Sequence, residues 1–131
     1  MIHPAMVRAT FEMMGADRMI LISDSMRATG MLDGQYTLGG LDVKVVGKRA
    51  TLVSDGAIAG SATNLADCMR TVVKEMQIPL GTAIACATIN PAKSLGIDDQ
   101  YGSIKAGKKA DIVLLKDNLD LQAVIKDGVR L

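Results

Sequence analysis

In "PAMVRATFEMMG", residues 4–15, Val7, Thr10, Phe11 and Met14 recur at helical spacing. Pro4 suits a first helical turn and Gly15 suits the residue just past a last one, so the pattern predicts a helix. "RMILIS" follows, an apolar run too short for a helix and flanked by breakers. It predicts a buried strand of the kind found in parallel sheets. The pattern then changes. "DGQYTLGGLDVKVVGKRATLVSDGAIAG" breaks into short β-prone pieces at Asp-Gly, Gly-Gly and Gly-Lys, with Leu41, Val43 and Val45 alternating against Asp42, Lys44 and Val46. These are hairpin signals.

Helical periodicity returns with Leu65, Met69, Val72, Val73 and Met76 on one face, behind Ser61 or Thr63 as a cap. Pro79 opens a second segment, "LGTAIACATI", and Pro91 a short third one that stops at Gly96. Two apolar runs end the chain, "ADIVLLKD" and "LQAVIKDGVRL", the latter turning at Asp127-Gly128. The order is helix, strand, hairpin excursion, helices and terminal strands, an α/β arrangement. One parallel-type strand cannot form a sheet, and a complete (β/α)8 barrel takes about 250 residues. The 131 residues present read as a piece of something larger.

Composition sharpens this picture. The chain is 49% hydrophobic with 2% aromatic residues and nine methionines, so its core is aliphatic and adaptable. Mean hydropathy is +0.25, high for so small a domain, and suggests apolar surface that seeks a partner. A net charge of +1 and the lack of a basic stripe interleaved with aromatics argue against nucleic acid. No stretch has the length of a membrane span and no signal peptide opens the chain, which predicts a cytoplasmic protein. Cys68 and Cys86 sit in apolar helical patterns and read as buried thiols.

Candidate chemistry is sparse. In "LISDSMRATG" an apolar run ends at Asp24. At the carboxyl end of a barrel strand such a carboxylate can move a proton, while elsewhere it is the first polar residue of an Asx turn. In "AIAGSATN" small residues lead into a helix, where backbone N–H groups either hold an anion or simply punctuate a loop. His3 is the sole histidine and reads as a surface or loop residue. It cannot make a catalytic zinc site, which takes three protein ligands.

Taken together, "HPAMVRATFEMMGADRMILISDSMRATGMLDGQYTLGG", "GAIAGSATNLADCMRTVV", "ATINPAKSLGI" and "GSIKAGKKADIVLLK" resemble the carboxy-terminal part of the N-acetylglucosamine-6-phosphate deacetylase family, within the amidohydrolase superfamily. The likeness covers nearly the whole chain. It implies the last part of a (β/α)8 barrel over 1–99, with a hairpin insertion at about 34–56, and strands of a small β-sandwich over 100–131. It implies hydrolysis of the acetamido group of N-acetylglucosamine 6-phosphate, with Asp24 as general base and then acid. Backbone contacts to the sugar phosphate would come from Ile58, Ala59 and Gly60.

The family's cofactor is a divalent metal, zinc or similar, whose ligands lie upstream of everything present here. No metal is therefore expected on this chain, which is expected to be inactive alone. A substrate-touching histidine of the family aligns with Met1, which suggests a chain that begins inside the barrel: a truncated product, a mis-called start or a deliberate fragment. The partners implied are the sugar phosphate, a missing amino-terminal half and, to bury orphaned faces, a second copy in a homo-oligomer. The alternatives are a non-catalytic, self-associating binding domain and an amidohydrolase with another amide substrate.

Overall fold

The computed structural model describes residues 2–131, so the alignment of Met1 lies outside the described residues. Those residues divide into two compact units, Leu21–Met69 and a second that joins the segment ending at Ile20 to Arg70–Leu131.

The first unit is built on a four-stranded antiparallel meander, β1 (Gly34–Leu38), β2 (Leu41–Val46), β3 (Arg49–Leu52) and β4 (Ile58–Ser61), each strand paired to the next. The two tightest turns are the predicted ones. Gly39 and Gly40 both take positive φ, 57° and 85°, as a two-residue hairpin turn requires. Gly47 does the same at 59° between β2 and β3, and its N–H is held by Asp33 Oδ1 at 2.7 Å. Val43 and Val45 face inward with Met26, Ala28, Ala50, Ala59 and Ala62 in an aliphatic core, onto which Tyr36, Leu38 and Leu52 pack.

The second unit holds α1 (Pro4–Met14), a 3-10 turn (Ala16–Arg18), α3 (Leu80–Ala87) and α4 (Ile89–Leu95). It also holds an antiparallel sheet of β5 (Ile112–Leu115), β6 (Leu121–Lys126) and β7 (Val129–Arg130). Gly15 ends α1 and left-handed Gly96 ends α4, as the pattern predicted. The buried Asn90 amide donates to Ala16 O and Met19 O, both at 2.8 Å, which ties α4 to the 3-10 turn. Asp111 accepts from Lys126 Nζ at 2.5 Å and from Asp127 N at 2.8 Å, and these bonds hold its carboxyl below the usual range. Between the two sheets in sequence lies α2 (Leu65–Lys74).

Three expectations need correction. Residues 18–23 form no strand, and Ile20 and Ile22 are 38% and 77% exposed. A buried parallel strand is made by hydrogen-bonded neighbours on both sides, not by apolar content alone, and the one bridge here, between Ser25 and Ser61, lies just beyond the run. The cap of α2 is neither Ser61 nor Thr63. Asn64 Oδ1 accepts from Asp67 N at 2.9 Å while Asp67 Oδ2 accepts from Asn64 N at 3.3 Å, a reciprocal capping box. Of the two thiols only Cys86 is buried, and burial pushes its pKa up; Cys68 is half-buried. Among the described residues no helix is long and apolar enough to cross a membrane.

Candidate functional site

Asp24 sits between two serines in an irregular segment, one residue before the bridge. Its backbone is left-handed, with φ of 49°, a conformation that costs most residues energy but that Asp tolerates better than most. Its side chain is exposed. Among the described residues its carboxylate has no hydrogen-bond or ion-pair partner. An Asx turn needs that carboxylate to accept a backbone N–H, so the local-turn reading of Asp24 has no bond to rest on.

The residues that follow are held firmly. Ser25 bridges Ser61 in parallel, and Met26 N donates to Ser61 O at 2.8 Å. Thr29 Oγ1 donates to the same carbonyl at 3.2 Å. Ser25 Oγ lies 2.6 Å from Thr63 O and 2.8 Å from Ser23 Oγ. Ser25 Oγ is placed as the donor in both contacts, and its one proton serves Thr63 O or Ser23 Oγ. Ser61 Oγ and Thr63 Oγ1 are 2.5 Å apart, and Thr63 N donates to Ser61 Oγ at 3.1 Å.

The parallel bridge fixes a register. Asp24 and Gly60 each precede a bridged residue, so they occupy neighbouring positions on two adjacent backbones. Ile58, Ala59 and Gly60, expected in a loop before a helix, instead form most of β4. Ile58 and Gly60 face solvent, whereas the Ala59 side chain is buried in the core. A ligand on this face can therefore meet Ala59 only through its backbone. The β3–β4 pairing shifts register between Arg49 and Thr51, an irregularity of the sort that re-aims a strand end. Gly60 has φ of 76°, and a Cβ there would stand 3.4 Å from Leu38 Cδ2 and 3.8 Å from Met26 Cβ. The chain thus brings Asp24 and the 58–60 segment together, while His3 caps α1 through Nδ1, which accepts from Ala5 N at 3.2 Å.

The start of α2 offers little to an anion, because the Asp67 carboxylate already occupies it and is also paired with Lys48 at 2.6 Å. An open depression of about 780 Å³ runs along that ion pair, past Gly30, Asp33, Gly47 and Asn64, and includes neither Asp24 nor residues 58–60. Among the described residues no group of three or more His, Cys, Asp or Glu side chains is placed to hold a metal ion. Sequence reasoning passed over Ser25 and Asn64, and took Thr63 only as a helix cap. The available signals were the hydroxyls flanking Asp24 and the Asn-x-x-Asp spacing at 64–67.

A single parallel bridge sets the exposed carboxylate of Asp24 beside the glycine-containing strand β4, and comparison with known proteins gives the class. The profile of the Amidohydrolase family matches residues 41–131, and the chain belongs to that family. More particularly, it is 40% identical to N-acetylglucosamine-6-phosphate deacetylase of Bacillus subtilis, over 96% of this chain and 32% of the relative. It is 38% identical to N-acetylgalactosamine-6-phosphate deacetylase of Escherichia coli O157:H7, over 86% of this chain and 29% of the relative. Its fold matches the crystal structure of an aspartate-to-alanine mutant of N-acetyl-D-glucosamine-6-phosphate deacetylase from Mycobacterium smegmatis, in complex with N-acetyl-D-glucosamine-6-phosphate. That match has a TM-score of 0.88 at 36% identity and covers 98% of this chain and 34% of the other. The chain therefore spans about a third of the length of these relatives.

Proposed function

We propose that this chain supplies the proton-transfer end of a sugar-phosphate deacetylase. In this reading residues 1–99 are the last part of a (β/α)8 barrel, 34–56 a hairpin insertion, and 100–131 strands of a small β-sandwich. The reaction is hydrolysis of the acetamido group of N-acetylglucosamine 6-phosphate. Water oxygen bonds to the acetyl carbon, the carbon–nitrogen bond breaks, and the water proton travels by way of the Asp24 carboxylate to the departing amine. Acetate and glucosamine 6-phosphate leave. The backbone of Ile58, Ala59 and Gly60 holds the sugar phosphate beside it.

The observation that carries this reading is the Ser25–Ser61 bridge, which sets an unpartnered, exposed Asp24 beside Gly60. The described side chains do not fit a divalent metal, so a metal of the zinc type would have to be held by residues outside this chain, and no step is routed through it here. The likeness to an N-acetylgalactosamine-6-phosphate deacetylase favours a second substrate, the epimer N-acetylgalactosamine 6-phosphate. The reading is tested by mixing the chain with the separately expressed amino-terminal two-thirds of the Bacillus subtilis relative, with added zinc and each sugar phosphate in turn. Faster amine release from the gluco substrate is expected. Faster release from the galacto substrate would move the specificity to the second reading, and release from an unrelated N-acetyl amide alone would sink both.

A further inference from the structure

We propose that Ser25 is a positioning residue, whose hydroxyl locks the left-handed backbone of Asp24 through Thr63 O. This deepens the reading above and rests on it for its functional meaning. The geometry has four parts. Asp24 is strained, with φ of 49°, and such backbone persists only where its surroundings over-determine it. The Asp24 side chain contributes nothing to holding itself, since it has no partner among the described residues. The residue after it is fixed by backbone and side chain together, through the Ser61 bridge and the bond from Ser25 Oγ to Thr63 O at 2.6 Å. The residue before it is tied to the same hydroxyl, with Ser23 Oγ 2.8 Å away. One side chain therefore fixes the residue after Asp24 to the connection between β4 and α2 and stands within hydrogen-bond reach of the residue before it.

That connection is itself rigidified. Thr63 N donates to Ser61 Oγ at 3.1 Å, and Ser61 O receives both Met26 N and Thr29 Oγ1. A carboxylate that must carry a proton between two substrate atoms gains from such a clamp, because a misplacement of about 1 Å can cost on the order of a hundredfold in rate.

The test is made on this chain by itself and does not use turnover. In labelled protein, the intraresidue amide-to-Hα nuclear Overhauser effect of Asp24 is strong only while φ is positive. In Ser25→Ala that signal is expected to fall at least twofold, with the amide shifts of Val43, Val45 and Ala50 in the sheet core unchanged. Ser25→Thr, which keeps the hydroxyl, is expected to restore it. If Ser25→Ala does not fold, Ser25→Cys, with a much weaker donor, is read in the same way. An unchanged Asp24 signal in Ser25→Ala would overturn the proposal. So would a loss shared with the core amides, because Ser25 would then be a general stabiliser of the unit. Failure of the catalytic reading looks different: turnover that ignores Asp24→Asn would remove the proton role while the clamp at Ser25 could still be seen.

Discussion

Gly60 shows how much one backbone position carries. Its φ of 76° lies where an L side chain is strained, and an added Cβ would press on Leu38 Cδ2 at 3.4 Å. Gly60→Ala is therefore expected to lower the unfolding free energy by about 1–2 kcal/mol, read as a lower urea midpoint at unchanged slope. An unchanged midpoint would mean that β4 relaxes freely and cannot hold a ligand in place. Asp24 and Gly60 share a positive φ, but only the glycine could have been suspected of it from the sequence. For Asp24 the alternatives were a turn residue or a proton carrier, and residue type alone does not separate them. What separates the first from the second is the lack of an accepted N–H, which depends on coordinates rather than on spacing.

At the level of elements, the hairpins were legible because their turns need glycine, and Gly39, Gly40 and Gly47 stand where positive φ is required. Helix α1 was legible from Pro4 and Gly15, and the terminal turn from Asp127-Gly128. The run at 18–23 was not, since β structure is completed by partners distant in sequence, and the pattern of a central strand says nothing of whether they are there. The cap of α2 was misplaced by three residues or by one, because any of Ser61, Thr63 and Asn64 can cap and only the carboxylate at Asp67 singles out Asn64. Asn64→Ala removes one half of this box and is expected to cost about 1 kcal/mol. The loss is checked by thermal unfolding, and Asn64→Ser should recover most of it. An Asn64→Ala variant as stable as the parent would return the capping role to Thr63.

On the scale of the molecule, the aliphatic composition has a visible outcome. Ile22, Leu32, Ile104 and Leu131 are each at least 77% exposed. Single exposed apolar residues are ordinary, but so many large ones on a small chain favour association. We expect a concentration-dependent mass above that of one chain by light scattering, reduced in an Ile22→Lys, Leu32→Lys variant. A constant monomer mass would show that this surface needs no cover.

The proton role proposed for Asp24 in amide hydrolysis can be read from a single variant. The chain is combined with the amino-terminal two-thirds of the Bacillus subtilis relative, and release of glucosamine 6-phosphate is followed for the parent and for Asp24→Asn. Turnover is expected to fall by about 10²–10⁴-fold in the variant with KM little changed, as loss of a general acid–base group requires. Near-parental turnover in Asp24→Asn would contradict the claim and return Asp24 to the role of an exposed residue at the end of an unpaired segment.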